Sequence, residues 1–379
     1  MKKQKICIIG DGLTGLTTAL SLKNLNINVD LFYKNNNKKA KIDKRTTAIS
    51  ESNFHFLSNQ LKIKKQYFWP CKNIDLYYEK NLDLLNFFSF DQQKKNLLYM
   101  FENNKIKKFL FKQLKESKNV KFINKKINNI NHDKSSIKYN NEIKNYDLII
   151  LCMGNCSKYY DDITNNRLIK KNYNETSITC TVKNNLNIKN SSQYFLKEGP
   201  LAILPFKKNI FSLVWSLKNK FYLKNSKNLN NLILGKLKHI YGNKIKLKLS
   251  SVQSFSISLV LYSKYFKKNS LILGEGIHKV HPMAGQGFNL VLRDIKKLYE
   301  IVEKNLEVGL LIKDSLILKE FYYARKPENI LMSLGIDLTN SLFQRNKFMQ
   351  PLQDFLLKNI KQSKIMKKFS EKVSNTGLY

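Results

Sequence analysis

Apolar positions recur along this chain with two periods, and the changes between them mark its elements. Residues 5–9, KICII, carry four apolar residues in a row after Lys5, the pattern of a buried strand. Leu16, Ala19, Leu20 and Leu22 then fall at helical spacing, and residues 29–33 read as a second strand. Ile106, Leu110 and Leu114 predict another helix, followed by short strands at 120–123 and 136–139 and a buried strand at 146–152. From residue 173 the character changes to alternating, β-rich sequence, with strands expected at 177–182, 210–215 and 256–262. The apolar run 271–273 ends at Gly274 and gives way to a loop punctuated by Pro282, Gly285 and Gly287. A helix starts near Asn289, with Leu290, Leu292 and Ile295 on one side, and the chain beyond Glu320 is helical and amphipathic.

Two of these junctions carry chemistry. Gly10-Asp11-Gly12-Leu13-Thr14-Gly15 sits between the first strand and the first helix, the βαβ context that makes a GxGxxG fingerprint specific. Gly10 permits the tight turn, Gly12 lets the backbone approach a pyrophosphate, and Gly15 lets the helix pack on the strand. The second strand should end on an acid for the ribose hydroxyls; Tyr33 stands there instead, and Asp30 lies in the strand interior. The stretch 271–295 is a ligand cradle, because strand, glycine-rich loop and helix start place free N–H groups around an anion or a partially negative ring edge. Between them, residues 43–50 (DKRTTAIS) carry Arg45, a bidentate reader of phosphate.

Composition changes the picture less than its headline charge suggests. With 379 residues and 42% hydrophobic content, the chain buries a sizeable core. The formal charge of +39 is carried by lysine: only five of the 67 basic residues are arginine, and the lysines are spread along the chain with abundant asparagine. Codon bias or a solvated surface accounts for that better than a nucleic-acid site, which would cluster its basic residues. An anionic membrane surface is the more attractive partner, given Phe, Leu, Met and Ile alternating with lysines over 348–369. Five scattered cysteines fit a reducing compartment. Cys152 and Cys156 lack a second pair, and His278 and His281 a nearby third ligand, so no metal site is expected. The basic opening resembles a signal peptide, but its apolar run stops at Gly10, and no run approaches a bilayer span. The expected location is cytoplasmic, or peripheral on the inner face of a membrane.

The fingerprint, DKRTTAIS and the 274–289 loop together resemble the ubiquinone-biosynthesis flavin hydroxylases, a branch of the aromatic-ring FAD-dependent monooxygenases. That pattern has D-x-R-x-x-A-I-S and, later, G-D-A-A-H-x-x-x-P-x-x-G-Q-G-x-N; here the latter reads Gly274-Glu275-Gly276-Ile277-His278, Pro282, Gly285-Gln286-Gly287 and Asn289. Residues 97–103 resemble its G-Y-x-x-E-N helix entry, and residues 195–205 its F-x-x-x-G-P-L-A-L-L-P. The resemblance implies an α/β fold (α+β overall): a Rossmann-like FAD-binding domain of the p-hydroxybenzoate hydroxylase type, an interleaved β-sheet substrate domain and a helical C-terminus. The expected division is 1–70, 95–172 and 265–345 for FAD, 71–94 and 173–264 for substrate, and 346–379 as a tail.

It also implies FAD, with NADH or NADPH as donor, and hydroxylation of a polyprenylated phenol by O2 through a flavin C4a-hydroperoxide. Other ubiquinone-biosynthesis proteins are expected partners. By the family pattern Gly10, Gly12 and Gly15 approach the pyrophosphate, Arg45 helps hold the cofactor, and Gly154 lies near the flavin. Gly274 belongs to the cofactor site, Glu275 reaches the ribityl or pyrophosphate region, and Pro282 and the backbone of Gly285, Gln286, Gly287, Phe288 and Asn289 border the isoalloxazine. No catalytic acid or base is implied. Tyr33, Met153 and Glu275 depart from the pattern, the last two where the family carries Asp. Two alternatives stay open: a cofactor-weakened relative acting as a scaffold in the same pathway, and a flavin-dependent oxidoreductase acting on another apolar substrate.

Overall fold

The computed structural model describes residues 3–33, 43, 45–81, 83–91, 95–154, 158–164, 167–250, 252–313 and 316–343. The expected tail at 346–379 lies outside them, as do Cys156 and the lysine-rich stretch 348–369. Seven α-helices are described: α1 (Leu13–Leu22), α2 (Glu51–His55), α3 (Asn103–Lys115), α4 (Asn219–Asn225), α5 (Leu229–Tyr241), α6 (Gly287–Glu307) and α7 (Leu316–Phe343).

Two sheets dominate. The first has six strands in the order Phe266–Lys267, Ser270–Ile272, Leu148–Leu151, Gln4–Ile9, Ile27–Phe32 and Val120–Ile123, parallel except at the first pair. Ile6, Cys7, Ile8, Ile149 and Ile150 have no exposed surface, which is why these strands read as continuous apolar runs. Asp30 is a polar exception, and the fold neutralises it in place. Its carboxylate accepts from Tyr146 Oη at 2.8 Å and pairs with Lys144 Nζ at 2.5 Å and Lys5 Nζ at 3.6 Å. A buried charge so partnered is a structural group, not one waiting for a ribose.

The second sheet has nine strands, drawn from Asn73–Asp91 and from residues 167–279. Its two faces follow from period-two alternation. Ile178, Cys180, Leu201, Ile203, Leu213 and Trp215 point into a core closed by Ile233 and Leu237 of α5. The residues between them, Ser177, Thr179, Ala202, Leu204 and Val214, line a cavity on the opposite face. The hairpin Asn73–Asp91 joins at the far edge through a parallel pairing of Ile74–Tyr78 with Ser191–Phe195, an association across more than a hundred residues.

Candidate functional site

The parallel sheet assembles the first half of the site. Gly10 N–H donates to the Phe32 carbonyl (3.0 Å), Cys152 N–H to Ile9 (2.8 Å) and Leu273 N–H to Leu151 (3.0 Å), so the ends of four neighbouring strands meet at their carboxyl edge. That edge is where open α/β sheets bind ligands. Gly10 has φ +120°, and a Cβ on it would stand 2.2 Å from the Cys152 carbonyl oxygen. A Cβ on Gly15 would stand 1.9 Å from the Gly10 oxygen, so α1 packs on the turn at a distance only glycine allows. Gly274, at φ +80°, abuts Thr14 in the first turn of α1, which brings the late loop against the fingerprint. Gly12 and Gly154 face open space, with nothing within 4 Å of a Cβ built on either. The Cys152 thiol beneath them is pushed up to about 12 by burial, so it stays protonated.

Both helices that begin here are open at their N-termini. Neither α1 nor α6 has a side-chain cap or an acidic residue in its first turn. Their first N–H groups and the positive ends of their dipoles are left to a ligand. Together with the unfilled space at Gly12 and Gly154, the residues present fit a dinucleotide cofactor.

The second half is a cavity of about 890 Å³ between the 275–288 loop and the nine-stranded sheet. It brings together Arg45, Glu275, Pro282, Gly285, Gln286, Gly287 and Phe288, whereas Gly10, Gly12, Gly15, Gly154 and Gly274 stand outside its wall. Asn289 is not in the wall either. It is fully buried beneath the loop, donating to the Ala48 and Gly285 carbonyls (both 3.3 Å) and accepting from Ser50 N–H (2.9 Å) and Asn53 Nδ2 (2.7 Å). Its side chain staples α6 to the strand Thr46–Ser50 and leaves the expected role to its backbone.

Arg45 is also engaged. Its Nε and Nη2 form a fork on Asp43 (2.8 and 2.9 Å), and its guanidinium lies 5.1 Å from the Phe255 ring centre. Burial works against the Asp43 carboxylate, but the Arg45 hydrogen bonds and charge and the Asn103 contact outweigh it and hold its pKa below the ordinary range. Asn103 donates to Asp43 (3.1 Å) and accepts from Thr47 Oγ1 (2.6 Å), a chain the linear sequence did not single out. Thr46 Oγ1, next to Arg45, is buried without a protein partner. Glu275 is exposed and near enough to Arg45 to raise its pKa further.

His278 and His281 do not form a pair. His278 Nε2 lies 2.7 Å from Asp294, and His281 Nε2 lies 2.9 Å from Glu175 while its Nδ1 accepts from Met283 N–H (3.1 Å). Both are buried and oriented by carboxylates, fixing the loop from either side. Tyr33 is half-buried, its ring edge-on to Phe111 and Phe122 (6.2 and 5.8 Å), and it carries no charge for a ribose. Among the residues missed by sequence, Ser177, Thr179 and Thr339 line the cavity; period-two alternation held the signal for the first two.

No family model matches the chain. Among curated proteins, it is 31% identical over 240 residues to the mitochondrial ubiquinone biosynthesis monooxygenase COQ6 of Dictyostelium discoideum, covering 50% of this chain and 48% of that protein. It is 29% identical to the ubiquinone hydroxylase UbiL of Rhodospirillum rubrum, covering 46% and 41%. The chain thus spans about half the length of the curated relatives it matches. Among solved structures, PqsL of Pseudomonas aeruginosa, a probable FAD-dependent monooxygenase, superposes with a TM-score of 0.75 at 14% identity over 93% of this chain and 100% of its own. HpxO of Klebsiella pneumoniae, complexed with FAD and uric acid, gives 0.73 at 12% identity over 98% and 97%. The chain therefore has the fold of the FAD-dependent aromatic monooxygenases of the p-hydroxybenzoate hydroxylase type, and its sequence resembles the hydroxylases of ubiquinone biosynthesis.

Proposed function

We propose that this protein is an FAD-dependent monooxygenase that hydroxylates the ring of a polyprenylated phenol in ubiquinone biosynthesis. One observation carries the reading: the fingerprint and the 274–289 loop meet at neighbouring strand ends, beside a large cavity whose other wall is the sheet. FAD, when bound and reduced by NADH or NADPH, supplies the activation of O2. The chain's own residues bind, orient and exclude water. Residues 1–70, 95–172 and 265–345 form the cofactor half, and 71–94 with 173–264 the substrate half.

In this reading the backbone at Gly10, Gly12 and Gly15 and the first turn of α1 take the pyrophosphate. Arg45 turns part of its fork from Asp43 to the cofactor, and Glu275 faces the ribityl chain. Pro282 and the backbone of Gly285–Phe288 run beside the ring, where the α6 N-terminus offsets negative charge developing on the reduced ring edge. Gly154 borders the same space from the strand below. The sheet residues Ala202, Leu204 and Val214 keep the substrate ring dry.

Reconstitution with FAD tests the proposal directly. The purified chain is expected to take up FAD and show flavin absorption bands, and Arg45→Ala to weaken FAD binding about tenfold or more through loss of one charge-assisted contact. A chain that takes up no FAD sinks the reading. Given FAD, NAD(P)H and O2, a prenylated phenol should gain one oxygen, as read by mass spectrometry.

We further propose that the protein meets this substrate at an anionic membrane surface, supported by its +39 charge. No helix among the described residues is long and apolar enough to cross a membrane. Vesicles rich in anionic lipid should carry the protein down on sedimentation and neutral vesicles should not; equal pelleting counts against surface attachment.

A further inference from the structure

One side of the cavity is formed by apolar side chains of the sheet edge together with Met283 of the loop. Leu76, Phe90, Phe195 and Met283 line it and also belong to a separate apolar cluster. The remaining members of that cluster, Tyr78, Phe87, Phe88 and Phe343, stand behind this wall. Phe343 comes from the last turn of α7, and its ring stacks on Phe195 with centres 3.8 Å apart and planes 19° apart, and lies 5.5 Å from Phe87. Thr339, one turn earlier on the same face of α7, lines the cavity itself. The end of α7 and the two aromatic strands thus close this side between them.

Polar groups and packed elements bound parts of the other sides. Toward Arg45 the wall carries Thr47, Asn103 and Glu275. Beneath the 275–288 loop lie buried charges at Asp294 and Arg325. Behind the sheet, α5 fills the space. Through the phenylalanine cluster apolar surface continues outward, reaching Leu85, half exposed on the same strand as Phe87. Pro327 interrupts the N–H ladder of α7, which weakens the helix between its N-terminal half and the turn that carries Phe343.

We infer that the ring pair Phe195–Phe343 is the gate of a tail channel: the long apolar substituent of the phenol leaves the cavity between the strand Asp83–Asp91 and the last turn of α7, taking the place of the Phe343 ring. The inference rests on the substrate class proposed above. It makes Phe343 a specificity-determining residue that senses the substituent and not the phenol ring.

The test uses the full chain loaded with FAD and two probes, phenol and 2-farnesylphenol, with binding measured by calorimetry. The wild type should bind farnesylphenol more tightly than phenol. Phe343→Trp should weaken farnesylphenol by about tenfold and leave phenol within about twofold, whereas Phe343→Ala should not weaken farnesylphenol. Equal shifts for both probes, or no shift, overturn the gate. A wild type that binds phenol but gains nothing from the farnesyl group also overturns it while leaving a phenol substrate standing; binding of neither probe overturns the substrate reading as well. A farnesylphenol bearing a photoreactive diazirine on its tail needs no variant: labelling of peptides holding Phe87, Phe195 or Phe343 is expected, and labelling confined elsewhere refutes the channel.

Discussion

Asp294→Ala is expected to cost the fold about 3–5 kcal/mol, because it strands a buried guanidinium. Asp294 has no exposed surface and accepts from Arg325 Nε (2.7 Å), His278 Nε2 (2.7 Å) and Asn329 Nδ2 (3.1 Å). Arg325, 4% exposed, also bonds Glu328 and Asn329, and Arg293 reaches Glu328 at 3.4 Å. Two guanidiniums and two carboxylates therefore balance inside one cluster joining α6 to α7. Removing one carboxylate leaves a net positive charge with no route to water. His278 loses its anchor at the same time, so the 275–288 loop should slacken and FAD affinity fall alongside stability.

The pH dependence has a definite sign. Burial opposes ionisation of Asp294, but the Arg325 charge and the hydrogen bonds from His278 and Arg325 outweigh it, and its pKa lies below the ordinary aspartate range. A carboxyl depressed in the folded state contributes stability above its unfolded pKa and loses it as pH falls through the folded value. The gap between wild type and Asp294→Ala should be full at neutral pH and close under acid. Urea midpoints measured across that range decide the point, and a variant that unfolds with the wild type at pH 7 would show the cluster to be inert.

The glycines of the fingerprint should separate folding from cofactor binding. Gly15→Ala drives a methyl group against the Gly10 carbonyl oxygen, a backbone atom that cannot swing aside. About 1–3 kcal/mol of overpacking is expected, with α1 lifted from the strand and FAD uptake lost. Gly12→Ala meets nothing within 4 Å, so its stability should stay within about 0.5 kcal/mol of wild type. Its methyl group nevertheless enters the space assigned to the pyrophosphate, and FAD should bind at least about tenfold more weakly. Wild-type FAD affinity in Gly12→Ala would show that the pyrophosphate lies elsewhere.

The contrast between these two glycines shows where reading the chain residue by residue stops. Glycine spacing announces a backbone turn, and both positions look alike in the linear pattern. Which glycine carries the packing and which faces open space depends on a carbonyl from the turn and on Cys152, contributed by a strand some 140 residues on. Arg45 and Asn289 teach the same lesson in reverse. Both stand at motif positions, but Asp43 occupies the fork of one, and four partners on the strand Thr46–Ser50, α2 and the loop occupy the other.

The βαβ start, the buried strands, the alternating sheet and the strand–loop–helix turn at 271–295 are legible in the linear pattern. Each rests on side-chain period and glycine placement within some twenty residues, where sterics and burial act locally. The departure at Tyr33 was equally plain. Long-range packing sets what Asp30 does instead, clamping Lys5 and Lys144; that Asn289 is a staple; that two carboxylates and two arginines meet beneath the loop; and that α7 lays Phe343 on Phe195. Those contacts join residues up to 241 positions apart, and their partners are chosen by which faces of helices and strands meet when the elements pack. No local period encodes that choice.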